Sequence, residues 1–163
     1  MRAAVGREFR RLTSFPISVN EIRRWAIALY YPATPPPLFW DEAYAATTRH
    51  GGLVAPEDFN PFAWMVADPR PDVGVAAERP WPEPELGLPD PPSRAFIING
   101  LEVDYTGVRM RPGDVIRSAV ALLGYAEREG KLGLMLHTTT EDRWVNQRDE
   151  VIRTSRIKLI RYR

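Results

Sequence analysis

Few side chains in this sequence can do acid–base or nucleophilic chemistry near neutral pH, and several cluster between Tyr30 and Phe59. That segment reads YYPATPPPLFWDEAYAATTRHGGLVAPEDF. His50 is an acid–base residue by type, although a histidine beside a glycine pair more simply caps or packs. Glu57 and Asp58 follow Pro56, so they either stabilise the positive end of a helix or offer a carboxylate for water activation. Gly51 and Gly52 let the backbone approach a ligand closely, and N–H groups leading into a helix can meet developing negative charge. Outside this segment, His137 sits mid-strand, where a packed structural role is the simpler account. With two histidines, no cysteine and no spaced carboxylate cluster, neither a metal site nor a thiol nucleophile is expected.

The same residues resemble the overhang segment of the MaoC-like (R-specific) enoyl-CoA hydratases. That family carries a pattern G-D-x-N-P-L-H-x-D, a short Tyr-Ala helix, and then G-G-L-V-A before a central helix. Here Pro37-Leu38, Asp41, Tyr44-Ala45 and Gly51 to Ala55 take those places. The family's catalytic Asp falls on Thr34 and its catalytic His on Phe39. Hydration of an enoyl thioester needs a base and an acid within reach of one substrate, and neither Thr nor Phe supplies one. The resemblance, which runs from about Gly6 to Tyr162, therefore implies a hot-dog protomer of the non-catalytic, N-terminal type.

That resemblance carries further expectations. The chain would pair with a catalytic MaoC-like hot-dog subunit, as a heterodimer or heterotetramer, and help hydrate or dehydrate a bulky acyl thioester. Steroid, fatty acyl and polyketide thioesters all fit, carried on CoA or an acyl-carrier protein. No cofactor is expected; CoA or phosphopantetheine is the substrate handle. Thr34, Phe39, His50, Gly51, Gly52 and Val54 would line the substrate site. Asp58 or His50 would serve an alternative homodimeric, thioesterase-like enzyme, because hot-dog thioesterases place a carboxylate near their central helix. A non-catalytic acyl-binding scaffold is the third reading. The basic residues Arg153, Arg156, Lys158, Arg161 and Arg163 either meet a CoA phosphate or carrier protein, or form a solvated strand face.

The elements that must position these residues follow from periodicity. Val19, Ile22, Trp25, Ala26 and Leu29 have helical spacing, with Ser18 and Glu21 set as a capping box. Trp40 to Thr47 suits a second helix and Pro56 to Ala67 a third, the central helix of the fold. Leu101, Val103 and Tyr105 alternate with polar residues as a half-buried strand. Arg111-Pro112-Gly113-Asp114 is a turn, Val115 to Arg128 a long strand, and Val151 to Tyr162 the last strand. The expected architecture is α+β: one hot-dog domain over residues 1–163, an antiparallel sheet wrapped around a central helix. Sixteen prolines interrupt it, above all in a Pro-rich excursion over residues 68–93, with Trp81 and Leu86 as anchors. Such an excursion suits a widened tunnel for a large substrate.

Composition excludes other classes. A net charge of +1 over 163 residues gives no global signal for nucleic acid or a membrane surface. No stretch approaches the roughly 20 apolar residues of a membrane helix. The absence of cysteine and of an apolar leader fits the cytoplasm. An edge strand and an apolar face left open in a monomer make association the expectation.

Overall fold

Ser18 starts the first helix as its spacing requires. Its hydroxyl accepts from Glu21 N–H and the Glu21 carboxylate accepts from Ser18 N–H, which satisfies two otherwise orphaned donors. This helix, α1 (Val19–Tyr30), turns Ile22 and Ala26 fully into the core. A computed structural model describes residues 2–63, 82–89, 91, 93, 95–131 and 133–162. Before α1 lies strand β1 (Glu8–Thr13). After it come a 3-10 turn (Pro37–Phe39), helix α2 (Glu42–Thr47) and a one-turn helix α3 (Pro82–Glu85). Four strands complete the chain: β2 (Ala95–Tyr105), β3 (Arg117–Gly130), β4 (Gly133–Val145) and β5 (Val151–Tyr162).

The five strands form one sheet in the order β1-β3-β4-β5-β2, with every pair antiparallel. This is the hot-dog fold. Register places Ser118, Trp144 and Arg153 opposite one another across β3, β4 and β5. Arg111 to Asp114 forms the expected turn: Asp114 N–H donates to Arg111 carbonyl, and Gly113 takes a φ of 84° that favours glycine.

The expected helix from Pro56 to Ala67 is not found over its described part. Residues 56–63 form two turns, and residues 64–67 lie outside the described residues. Pro61 supplies the reason, since it has no N–H to donate and disfavours helical backbone at Asn60. Asn60 instead closes a local turn, its side-chain oxygen accepting from Phe62 N–H at 3.0 Å. The apolar cover for the sheet comes from the non-helical run before it: Leu53, Val54, Ala55 and Phe59 are all buried. With Ile22, Ala26, Phe39, Met110, Ile116, Trp144 and Ile152, most of them form the main core.

Most of the Pro-rich excursion, Trp81 included, lies outside the described residues. Its described end is regular over Pro82–Glu85, where the sequence suggests no regular structure, because Pro82 and Pro84 fall within the first turn of α3, where a missing N–H costs nothing. Leu86 is buried against Ala4 and Leu122 in a second, smaller core. Beside it, the Glu83 carboxylate receives both ends of the Arg161 guanidinium, with one bond at 2.9 Å, and both side chains are buried. Arg10 Nε donates to Glu85 at 2.8 Å on the same helix.

Candidate functional site

The overhang segment is built by its prolines. Pro35 to Pro37 deliver the chain into a single 3-10 turn, where Phe39 and Trp40 N–H donate to the carbonyls of Pro36 and Pro37, each at 3.1 Å. Asp41 then caps α2, its carboxylate accepting from Tyr44 N–H at 3.0 Å. Asp41 is thus engaged as a cap. The turn drives Phe39 into the main core, where its ring meets Tyr30 at 6.0 Å.

Thr34 goes elsewhere. It is exposed and lines an open pocket of about 290 Å³ with Arg23, Ile27, Pro35 and Trp40. Arg23 Nη2 donates to Trp40 carbonyl at 2.9 Å, and Trp40 Nε1 donates to Pro35 carbonyl at 2.9 Å, which fixes the pocket wall. Arg23 is its one ionisable group, and a guanidinium does not act as a base. Phe39 is not among the lining residues. Neither position holds a group able to move a proton on an acyl thioester.

The glycine turn lies one helix further on. Gly51 adopts a φ of 65°, where a Cβ would be strained, and its N–H donates to Thr48 carbonyl at 3.0 Å. His50 N–H donates to Thr48 Oγ1 at 3.2 Å, so the side chain of Thr48 also holds the turn. His50 is half-buried, and Arg49 Nε donates to its Nε2 at 3.4 Å. Partial burial, followed by the charges of Arg49, Arg109 and Arg111, holds its imidazole below the ordinary value of 6.5. It is neutral at pH 7 and a weak base there. Val54, two residues past the glycines, is fully buried core.

Glu57 and Asp58 are both exposed. Without a helix behind them the dipole account lapses, and each makes a tertiary contact instead. Glu57 pairs with Arg109 at 3.3 Å, and Asp58 accepts from Trp25 Nε1 at 3.4 Å. His137 sits on β4 between Ala126 and Ile160, and its Nε2 is buried with no hydrogen-bond partner among the described residues. On β5 the basic residues are largely engaged within the domain. Arg156 pairs with Glu141 and Asp104, Lys158 with Glu102, and Arg161 with Glu83. Arg153 lies flat on Trp144, 3.4 Å from the ring centroid, while Phe62 meets the same ring edge-on at 5.0 Å. Arg163 lies outside the described residues. Among the described residues no cluster of three or more His, Cys, Asp or Glu could hold a metal, and no helix is long and apolar enough to cross a membrane.

A profile of the FAS1-like dehydratase domain region matches residues 3–155. The chain belongs to this family. Three solved structures show the same fold for this FAS1-like dehydratase domain. The MaoC-like dehydratase from Rhodospirillum rubrum is 21% identical, with a TM-score of 0.57 over 94% of this chain and 91% of that one. The R-hydratase PhaJ1 from Pseudomonas aeruginosa is 18% identical, with a TM-score of 0.60 over 97% and 81%. The ChsH1-ChsH2 complex from Mycobacterium tuberculosis is similar at 17% identity, with a TM-score of 0.63 over 95% and 84%. No curated protein matches the chain.

Proposed function

We propose that this chain is the non-catalytic hot-dog subunit of a heteromeric enoyl-thioester hydratase or 3-hydroxyacyl-thioester dehydratase. The reading rests on the residue types at the two positions that the resemblance matches to the family's acid and base, Thr34 and Phe39, which the structure does not bring into one pocket. Phe39 is packed into the core against Tyr30, and Thr34 faces an outer pocket whose one ionisable group is Arg23. A partner chain supplies the reacting pair, and this subunit shapes the acyl site and stabilises the assembly.

The sheet favours association. Among the described strands β2, 11 residues long, stands at one end of the sheet. Ile98 and Leu101 on it are 61% and 62% exposed, and Ile157 beside Leu101 is exposed too. Exposed apolar side chains together at the end of a sheet form a surface that a second chain would cover. One structural relative, the ChsH1-ChsH2 complex, is an assembly of two different chains, which suits the same arrangement here. The substrate would be a bulky acyl thioester (steroid, fatty acyl or polyketide), presented on CoA or phosphopantetheine in the cytoplasm.

The test is co-purification and activity. Co-expressed with a hot-dog chain that keeps an intact Asp-x-Asn-Pro-x-His pattern, ideally one encoded beside it, this chain is expected to co-purify and to raise that partner's hydratase turnover. If the partner neither binds this chain nor gains activity from it, the heteromeric reading is wrong.

A further inference from the structure

An arginine cluster lies on the face of the sheet opposite the main core. In an antiparallel sheet, residues directly opposite one another share a face. Register places Arg11 of β1, Ala119 of β3 and Arg143 of β4 in one row, and Thr13, Arg117 and Val145 in the next. The row between them sends Ser118 and Trp144 inward to buried positions, so the arginine rows face outward. Neighbouring strands lie about 4.8 Å apart, which sets the backbones of Arg11 and Arg143 roughly 10 Å apart across Ala119. The small Ala119 side chain leaves the space between the longer ones open, and the surface there dips into a pocket of about 400 Å³. Arg11, Arg117 and Arg143 all line it, with Glu8 and Asp149.

The carboxylates around the pocket are already engaged. Glu8 pairs with Arg11, and Asp149 with Arg117, whose Nη2 also donates to Asn146 carbonyl at 3.4 Å. Further along the same face, Glu141 on β4 and Asp104 on β2 both pair with Arg156. Arg143 is exposed and lies opposite Thr154 on its β5 side. Its guanidinium has no hydrogen-bond or ion-pair partner among the described residues. The pocket wall therefore sets three guanidinium groups against two carboxylates, and one positive charge is left over.

We propose that this pocket binds a small organic carboxylate, whose two oxygens meet the fork of Arg143. A guanidinium and a carboxylate match through two parallel N–H···O bonds. A single surplus charge calls for a monoanion, because a phosphate dianion would bring a second negative charge against Glu8 and Asp149. Ala119 and Val145 give the pocket an apolar surface for the body of the ligand, and a volume of about 400 Å³ lies within the range of small-molecule sites. Arg11 and Arg117 carry more N–H donors than their single carboxylate partners use, so polar substituents can be met at the rim. The pocket lies across the sheet from Phe39 and the main core, and the inference does not rest on the hydratase reading.

Benzoate is the probe, compared with its uncharged counterpart benzamide and with inorganic phosphate. Each is titrated into the full-length chain, in whatever assembly it forms, and followed by NMR at the Ala119 backbone N–H and the Arg143 Nε–H. Benzoate is expected to shift both signals saturably and to bind at least about tenfold more tightly than benzamide or phosphate. Arg143→Gln should weaken it at least about tenfold, read at Ala119, while Arg143→Lys should keep part of the affinity. Ala119→Leu keeps every arginine and fills the pocket, so it should weaken binding as well. Arg128→Ala, at the far end of β3, should leave binding unchanged. No saturable shift, equally tight binding of benzamide or phosphate, or binding indifferent to both Arg143→Gln and Ala119→Leu would overturn the proposal. Co-purification with a catalytic partner is read separately, and neither result decides the other.

Discussion

Around the overhang, the buried positions are filled by apolar side chains: Phe39 packs with Ile22, Ala26, Val54 and Phe59. Beneath residues 82–89, the largest fully buried side chain is Arg161, and its partner Glu83 is also buried. Tyr125 stands by this pair, its hydroxyl donating to Glu127 at 2.9 Å and pushed up to about 12, chiefly by burial. Phe39, deep in the overhang, is buried among apolar side chains. At the one-turn helix α3, buried and half-buried ion pairs from Arg161 and Arg10 hold the helix to the sheet. The buried charges Glu83 and Arg161 serve architecture.

That contrast can be broken first at the ion pair. Arg161→Ala should strand the Glu83 carboxylate and cost about 3–5 kcal/mol, whereas Glu83→Leu with Arg161→Met should cost far less. Urea unfolding of the single and double variants reads both. Equal losses would mean that the pair acts through packing and not through charge.

Phe39→Ala should cost roughly 3 kcal/mol, the order expected for emptying a buried aromatic site. Thr34→Ala should stay within about 0.5 kcal/mol, as exposed positions do. Similar values for the two would show that Phe39 is not core, and would reopen the possibility that it faces a ligand. Thr34→Asp with Phe39→His should gain at most trace hydratase activity, because the imidazole would enter the core while the carboxylate faces an outer pocket.

The smallest effect concerns His50. Its titration midpoint, read by NMR, should fall below 6.5, and Arg49→Ala should raise it. The sign for stability follows. The unfolded chain takes up the proton first, so stability attached to this group is present above about pH 6.5 and declines as pH falls toward the folded midpoint. A midpoint at or above 6.5 would remove the cationic environment inferred for the turn.

Much of the scaffold was legible because its signals are local. The Ser18–Glu21 box, the turn at Arg111 to Asp114 and the alternation through Val103 and Tyr105 each lie within a few residues. Pro61 was also visible, and it weighs against a helix through residue 63 more than the apolar spacing of Phe59, Phe62 and Ala63 weighs for one. What could not be read is long-range pairing. Glu83 and Arg161 are 78 residues apart, and nothing in a Pro-rich run marks one glutamate for burial. Likewise the spacing of Thr34 and Phe39 fixes their places in a pattern, while the 3-10 turn between Pro37 and Phe39 decides that one side chain points inward.

On the proposed reading this chain alone does not hydrate an enoyl thioester. The most direct test is crotonyl-CoA hydration by the purified chain alone, followed spectrophotometrically at neutral pH. No turnover above the uncatalysed rate is expected, because Thr34 and Phe39 supply no paired acid and base, and losing even one of two such groups typically costs orders of magnitude. Robust turnover by the isolated chain that survives Asp58→Asn and His50→Ala would contradict it.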